Sequence, residues 1–218
     1  MASIEKGAAL DSYQNGFLPE FHLMYQGNVY NDQEQVVEIY QDLIAMIGDS
    51  GNCQLLHKTV TASGNVMSIS VITTVNRSYA ILSAFRNLKG AFSKEFEFII
   101  PIEDSNKADH KSINKMRELW VNHSNNNRPD LVVNEVYSAN AFYLNRGKLL
   151  NDRPLIIEEY KYMLNPGWSI ELVEQGFLQV NENISIEIGT YANYRGQYLL
   201  IWSRQSDESW KIALDFNF

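Results

Sequence analysis

The chain ends in "GQYLLIWSRQSDESWKIALDFNF", and no other stretch restricts its fold as tightly. Trp210, Ile212, Leu214, Phe216 and Phe218 alternate with Lys211, Ala213, Asp215 and Asn217, which is the period of a strand with one dry face. The preceding "YLLIW" is apolar at every position, as in a strand covered on both sides. With the run upstream of them, they make three long antiparallel strands marked off by the turn signals "NEN", "NYRG" and "SDES".

Those turns predict a register. A two-residue loop at Asp207–Glu208 sets Leu199, Ile201 and Ser203 beside Phe216, Leu214 and Ile212. A two-residue loop at Tyr194–Arg195 sets Thr190, Ile188 and Ile186 beside Leu199, Ile201 and Ser203. The aliphatic residues then share one face, and burying each large one is worth roughly 1.5–3 kcal/mol. Three helices of the same half are the expected cover, and Ile201, Ser203 and Leu214 become expected cavity lining. The opposite row, with Tyr191, Tyr198, Leu200, Trp202 and Arg204, mixes aromatic rings with charge as an interface does. Contact through this outer face, with a second subunit or with the first half of the chain, is expected, and a homodimer is the leading partner expectation.

The helices read clearly in sequence. "DSNKADHKSINKMRELWVNH" places Ile113, Met116 and Trp120 on one stripe, with His123 near its end. "NNRPDLVVNEVY" is a shorter helix, with Asn127 as cap and Pro129 at an early helical position. "AFYLNRGKLLND" is a hairpin turning at Arg146–Gly147, and "DRPLIIEEYKYML" packs Ile156, Ile157, Tyr160 and Leu164.

The division predicted from the sequence is 1–104, a small α+β domain, and 105–218, a domain built on the terminal strands. In the first, "NDQEQVVEIYQDLIAMIG" is a helix capped by Asn31 with Glu34 reaching back. "CQLLHKTVT" and "NVMSISVITTV" are strands. "NRSYAILSAFRNLKG" has Ile81, Leu82, Phe85 and Leu88 at helical spacing, stopped by Gly90. With "FHLMYQ" as a strand the order is βαββαβ, a ferredoxin-like arrangement. No internal repeat is expected.

The chain has 218 residues, 45% of them hydrophobic, and a net charge of −8. Without a basic run, neither nucleic acid nor anionic membrane is an expected partner. A single cysteine, Cys53, and four scattered histidines predict neither a disulfide nor a metal site, and no cofactor is expected. Nothing resembles a secretory leader or a membrane span, so a cytoplasmic protein is expected.

"VVNEVYSANAFYLNRGKLLNDRPLIIEEYKYML" and "IEIGTYANYRGQYLLIWSRQSDESWKIALDFNF" carry a resemblance to the nuclear transport factor 2-like superfamily, in its SnoaL-like and ketosteroid isomerase-like branches. The resemblance covers about residues 106–218 and implies an α+β cone, a curved antiparallel sheet under three helices. This fold hosts enzymes, transport factors and assembly domains alike. Ketosteroid isomerase-like sites use a carboxylate base, a tyrosine and a protonated carboxylic acid. Placed on this sequence, the base position falls on Asn145 and the acid position near Ile201, so neither is filled.

Three functions remain. The first is a non-catalytic module holding a small apolar ligand among Trp120, Tyr143, Asn145, Tyr160, Ile201, Ser203 and Leu214. The second is an interaction domain with a filled pocket. The third is an isomerase, cyclase or dehydratase using His123 and Tyr143 as acid–base pair. With no carboxylate on the expected inner row, the first reading leads. His123 also has a plain explanation, since a helix C-terminus favours an imidazolium. Glu158 and Glu159 are neighbours that a helix sends in different directions, which fits a solvated face better than a catalytic pair.

Overall fold

The computed structural model describes residues 17–47, 51–103, 110–191 and 196–218. The chain divides into two units, Met1–Glu103 and Asp104–Phe218. Each is α+β and carries one six-stranded mixed sheet.

The C-terminal unit contains α2 (His110–Asn125) and α3 (Pro129–Leu131), which runs on as a π-helical turn over Val132–Val136. Strands β7 (Tyr137–Asn145) and β8 (Lys148–Leu150) follow. Then come α4 (Arg153–Glu159), a 3-10 turn over Tyr160–Leu164, and β9 (Leu172–Gln179). Strands β10 (Ile184–Tyr191), β11 (Gly196–Arg204) and β12 (Trp210–Asn217) close the sheet in the order β8-β7-β12-β11-β10-β9. The sheet is not wholly antiparallel as expected, because β7 pairs with β12 in parallel. Arg146 and Gly147 both have positive φ (51° and 77°), the geometry of a two-residue hairpin whose twist matches its strands.

The terminal ribbon pairs Leu199 with Phe216 and Ile201 with Leu214, but beyond them Trp202 pairs with Ile212. Its loop is three residues long, not two. The Gln205 N–H donates to the Ser209 carbonyl at 2.8 Å, and Glu208 takes φ 68°. The extra loop residue is cancelled by a bulge at Ala213. The alternation read from sequence is therefore split. Trp210 and Ile212 join Trp202 and Leu200 in the core beneath the helices, whereas Leu214 and Phe216 turn to the other face with Ile201. On β10 the pairing is offset by two residues from the expected one, with Ile186 opposite Ile201 and Ile188 opposite Leu199. An offset of two preserves the face. The expected loop at Tyr194–Arg195 lies outside the described residues.

The helices thus cover the face opposite to the one expected. Trp120, Tyr198, Leu200 and Trp202 pack in one core, and both faces of β11 are buried: Leu200 is 3% exposed, Ile201 1%. Tyr191, Tyr198, Leu200, Trp202 and Arg204 do not form the outer face expected for a homodimer contact. The first four line the unit's own interior, and Arg204 is half-buried with its guanidinium 3.6 Å from Glu208.

The N-terminal unit departs further from expectation. Strands β1 (Phe17–Tyr25) and β2 (Asn28–Tyr30) precede α1 (Gln33–Ile47). Then β3 (Asn52–Val60), β4 (Val66–Thr73), β5 (Ser78–Leu88) and β6 (Ala91–Ile102) complete a sheet ordered β2-β1-β6-β5-β4-β3. The segment expected as a second helix is β5, a central strand between β4 and β6. The apparent helical spacing of Ile81, Leu82, Phe85 and Leu88 arose because β5 is buried on both faces, which places apolar residues side by side. Thr74 and Arg77 close a tight turn before it, and Lys89–Gly90, with φ 56° and 98°, is a hairpin rather than a helix stop. The order is not ferredoxin-like. Helix α1 is capped by Asp32, whose Oδ1 accepts from the Gln35 N–H at 3.0 Å, one residue from the expected Asn31.

The two units are built on one plan. Their strand orders are identical, and so are their irregularities. The β1–β6 ladder slips between Phe17 and His22, and β7–β12 slips where Tyr137 and Phe142 lie, 120 positions on. The bulge at Glu95 in β6 recurs at Ala213 in β12, and that at Leu56 in β3 recurs at Gln175 in β9. A repeat is present after all. "QGNVYNDQEQVVEIY" and "RGKLLNDRPLIIEEY" share Gly27/Gly147, Asn31/Asn151, Asp32/Asp152, Glu38/Glu158 and Tyr40/Tyr160.

Candidate functional site

The C-terminal unit encloses a cavity of about 350 Å³, within the range of small-ligand pockets. Helix α2 contributes Trp120 and Arg117, and the 3-10 turn contributes Tyr160 and Tyr162. Tyr143 and Asn145 come from β7, Leu200 and Trp202 from β11, Asp215 and Asn217 from β12. Trp168 stands in the wall beside Tyr162, their ring centroids 4.8 Å apart.

Two glycines make this wall possible. A Cβ on Gly189 would lie 2.2 Å from the Tyr198 ring, and one on Gly196 would lie 2.1 Å from the Tyr191 ring. Each glycine is the cross-strand partner of the tyrosine that lies over it. Without them the rings have no room to lie across the sheet.

Asp215 forms the floor. It is 3% exposed, and Tyr160 Oη lies 2.6 Å from its Oδ2, to which Tyr137 also hydrogen-bonds. The two tyrosine oxygens are themselves 2.6 Å apart, and Asn217 Nδ2 donates to Asp215 Oδ1 at 2.9 Å. Three oxygens thus touch in a triangle. With Asp215 ionised, two hydroxyl protons serve three edges; with Asp215 protonated, each edge has its own. Burial pushes the Asp215 carboxyl up, against the opposing pull of Tyr137, Tyr160 and Asn217. Geometry and desolvation both favour the neutral acid.

Glu187 forms a second polar station, fully buried, on the same sheet face. Arg117 Nη1 reaches its Oε1 at 2.6 Å, Tyr198 Oη at 2.7 Å, and Trp202 Nε1 donates to its Oε2 at 3.0 Å. Burial pushes this carboxyl up as well, while Arg117 and Tyr198 draw it down. Because all three neighbours donate, the carboxylate is the form they fit. Burial works against the Arg117 charge, but Glu187 and Glu174 outweigh it and hold the guanidinium above its ordinary value. Arg117 also bonds Glu174 at 2.7 Å and Asn114 at 2.8 Å, so its charge is spent inside the protein.

Of the expected ligand residues, Trp120, Tyr143, Asn145 and Tyr160 line the cavity. Ile201, Ser203 and Leu214 do not; the bulge and the reversal of faces put them on the far side of the sheet. Tyr191, Tyr198, Leu200 and Trp202, expected outside, line it instead. The expected absence of an inward carboxylate is overturned by Asp215 and Glu187. His123 is not in the lining. Its Nε2 lies 2.9 Å from Glu135, so it is not brought to Tyr143 as an acid–base pair. Among the described residues no cluster of three or more His, Cys, Asp or Glu could hold a metal ion, and no helix is long and apolar enough to cross a membrane.

Asp215 has a counterpart in the N-terminal unit. Leu23 pairs with Glu97 on β6 as Tyr143 pairs with Asp215 on β12. Tyr40, the equivalent of Tyr160, donates to Glu97, which also takes Ser83 Oγ at 2.8 Å and Lys94 Nζ at 2.5 Å. Sequence reasoning missed Asp215 and Glu187 because it set both on an outer face of the sheet, away from the helices.

No family model and no curated protein matches the sequence. Solved structures do. An NTF-2-like protein of unknown function from Shewanella oneidensis is 14% identical, aligned over 50% of this chain and 98% of its own, with a TM-score of 0.44. A cystatin-like domain of unknown function from Nostoc punctiforme is 16% identical over 52% of this chain and 78% of its own, at 0.45. A ketosteroid isomerase-like protein from Erwinia carotovora atroseptica is 12% identical over 49% of this chain and 92% of its own, at 0.43. About half of the chain is similar to each of these structures.

Proposed function

We propose that the C-terminal unit is a binding module that holds one small, flat, mainly apolar molecule in its cavity without transforming it. The observation that carries this reading is a cavity of about 350 Å³ walled by aromatic rings, whose buried floor carboxyl, Asp215, already has partners, as does Glu187, buried on the same sheet face. A general base needs a lone pair facing its substrate. Glu187 gives its oxygens to Arg117, Tyr198 and Trp202, and Asp215 gives its own to Tyr137, Tyr160 and Asn217. Aromatic walls favour a conjugated ligand through stacking and edge contacts.

Thermal denaturation against a panel of naphthalene- and biphenyl-sized compounds tests this. A ligand at a hundredfold excess over its Kd should add about 2.7 kcal/mol. Leu200→Trp, which fills the cavity from β11, should abolish the effect. If no compound shifts the transition, or if the filled variant responds equally, the reading fails.

An isomerase- or dehydratase-type enzyme is the second reading, favoured by one observation: a carboxylic acid beside Tyr160 and Tyr143 on the cavity wall. Its acid would be Asp215 rather than His123. Turnover of a bound ketone that disappears in Asp215→Asn would establish it.

A further inference from the structure

We infer that the ligand of this cavity carries an oxyanion, a carboxylate in the simplest case, on an aromatic or conjugated body, and that Arg146 selects it. This inference rests on the binding reading above and specifies its chemistry.

The charges around the cavity divide unequally. Arg117 is committed to Glu174 and Glu187, and Glu159 is paired with Lys148 Nζ at 2.5 Å. Arg146, exposed in the β7–β8 hairpin and part of the cavity wall, makes no ion pair among the described residues. A guanidinium beside an apolar cavity attracts a planar oxyanion, which it can hold through two parallel hydrogen bonds.

The same end of β7 offers a second donor. Asn145 Nδ2 donates to Tyr143 Oη at 3.2 Å, which uses the phenol as an acceptor. The hydroxyl proton of Tyr143 has no acceptor among the described residues, although the side chain is 2% exposed and lines the cavity. Burial pushes the Tyr143 phenol up, so it stays a donor. An unmet donor and an unpaired cation on one wall call for an oxygen acceptor with negative charge.

The duplicated plan shows that the frame does not require these residues. Leu23, Tyr25 and Gln26 occupy in the N-terminal unit the places of Tyr143, Asn145 and Arg146. Gln26 has φ 50° and Arg146 φ 51°, so the turn forms equally well with either side chain.

Two compounds of one shape separate the possibilities: naphthalene-2-carboxylate and 2-acetylnaphthalene, titrated calorimetrically against the full chain. The carboxylate should bind at least tenfold tighter at low salt, and the preference should shrink as ionic strength rises. Arg146→Gln, which copies the residue in the equivalent turn, should abolish the preference, bringing the carboxylate's affinity down to that of the ketone. Tyr143→Phe should weaken both compounds. If the ketone binds as tightly as the carboxylate, or if Arg146→Gln keeps the preference, this inference is overturned while the binding module stands. If neither compound binds, both are overturned.

Discussion

Tyr160 Oη lies 2.6 Å from Asp215 Oδ2, joining a helical turn to the last strand across the floor of a cavity. The same link occurs between Tyr40 and Glu97 in a unit that otherwise lines its sheet differently. A contact present in both copies belongs to the frame. One present in a single copy is where to look for chemistry.

Tyr160→Phe removes two edges of the triangle, those to Asp215 and Tyr137, and leaves Tyr137 and Asn217 on Asp215. The expected cost is about 0.5–1.5 kcal/mol for each hydrogen bond lost, measured by urea denaturation. Tyr40→Phe should cost a similar or larger amount, since Glu97 is also tied to Lys94. Ligand affinity should fall only in the first variant.

Asp215 gives a pH signature. Its carboxyl is raised in the folded chain, so between its ordinary value of 3.8 and that raised value the folded state binds more protons than the unfolded state. Its contribution is complete below the ordinary value and is lost as pH rises through the raised one. Asp215→Asn, measured against wild type from pH 3 to pH 8, should therefore gain relative stability as pH increases. A difference that is flat with pH, or that moves the other way, would show an ionised Asp215.

Gly189→Ala puts a methyl group where the Tyr198 ring lies, 2.2 Å from its nearest atom. The ring must leave, and its hydrogen bond to Glu187 with it. Overpacking of this kind costs about 1–3 kcal/mol. In Tyr198→Ala the obstacle is gone, so adding Gly189→Ala there should cost less than in wild type, a coupling that a double-mutant cycle reads directly.

The two faces of β11 should separate stability from binding. Ile201→Ala should cost about 2–5 kcal/mol and leave ligand affinity unchanged, because Ile201 faces away from the cavity. Leu200→Ala should change both. Equal effects on affinity would contradict the register of the terminal ribbon.

The sequence carried the order of elements in the C-terminal unit and the pairing of Ile201 with Leu214, because alternation and turn residues are local signals. It did not carry which face the helices cover. Alternation is blind to an extra residue in a strand, and the bulge at Ala213 moves Trp210 and Ile212 to the side opposite Leu214 and Phe216. With the faces exchanged, Trp120, Tyr143, Asn145 and Tyr160 were still placed in the cavity, since they come from the helices and β7. Asp215 and Glu187 were not, since they come from the misread sheet. In the N-terminal unit, β5 looked helical because a strand dry on both faces loses its period of two. The repeat of Gly27, Asn31, Asp32 and Tyr40 at 120 residues' distance was legible all along, and it would have corrected β5.

At the two bulge positions of β6 and β12 stand a glutamate and an alanine, with nothing in common but their count along the strand. A kink of that sort depends on one extra residue, whatever side chain fills it, because deleting it would turn the rest of the strand inside out. The common plan of the two units is therefore written more plainly in their hydrogen-bond ladders than in their letters.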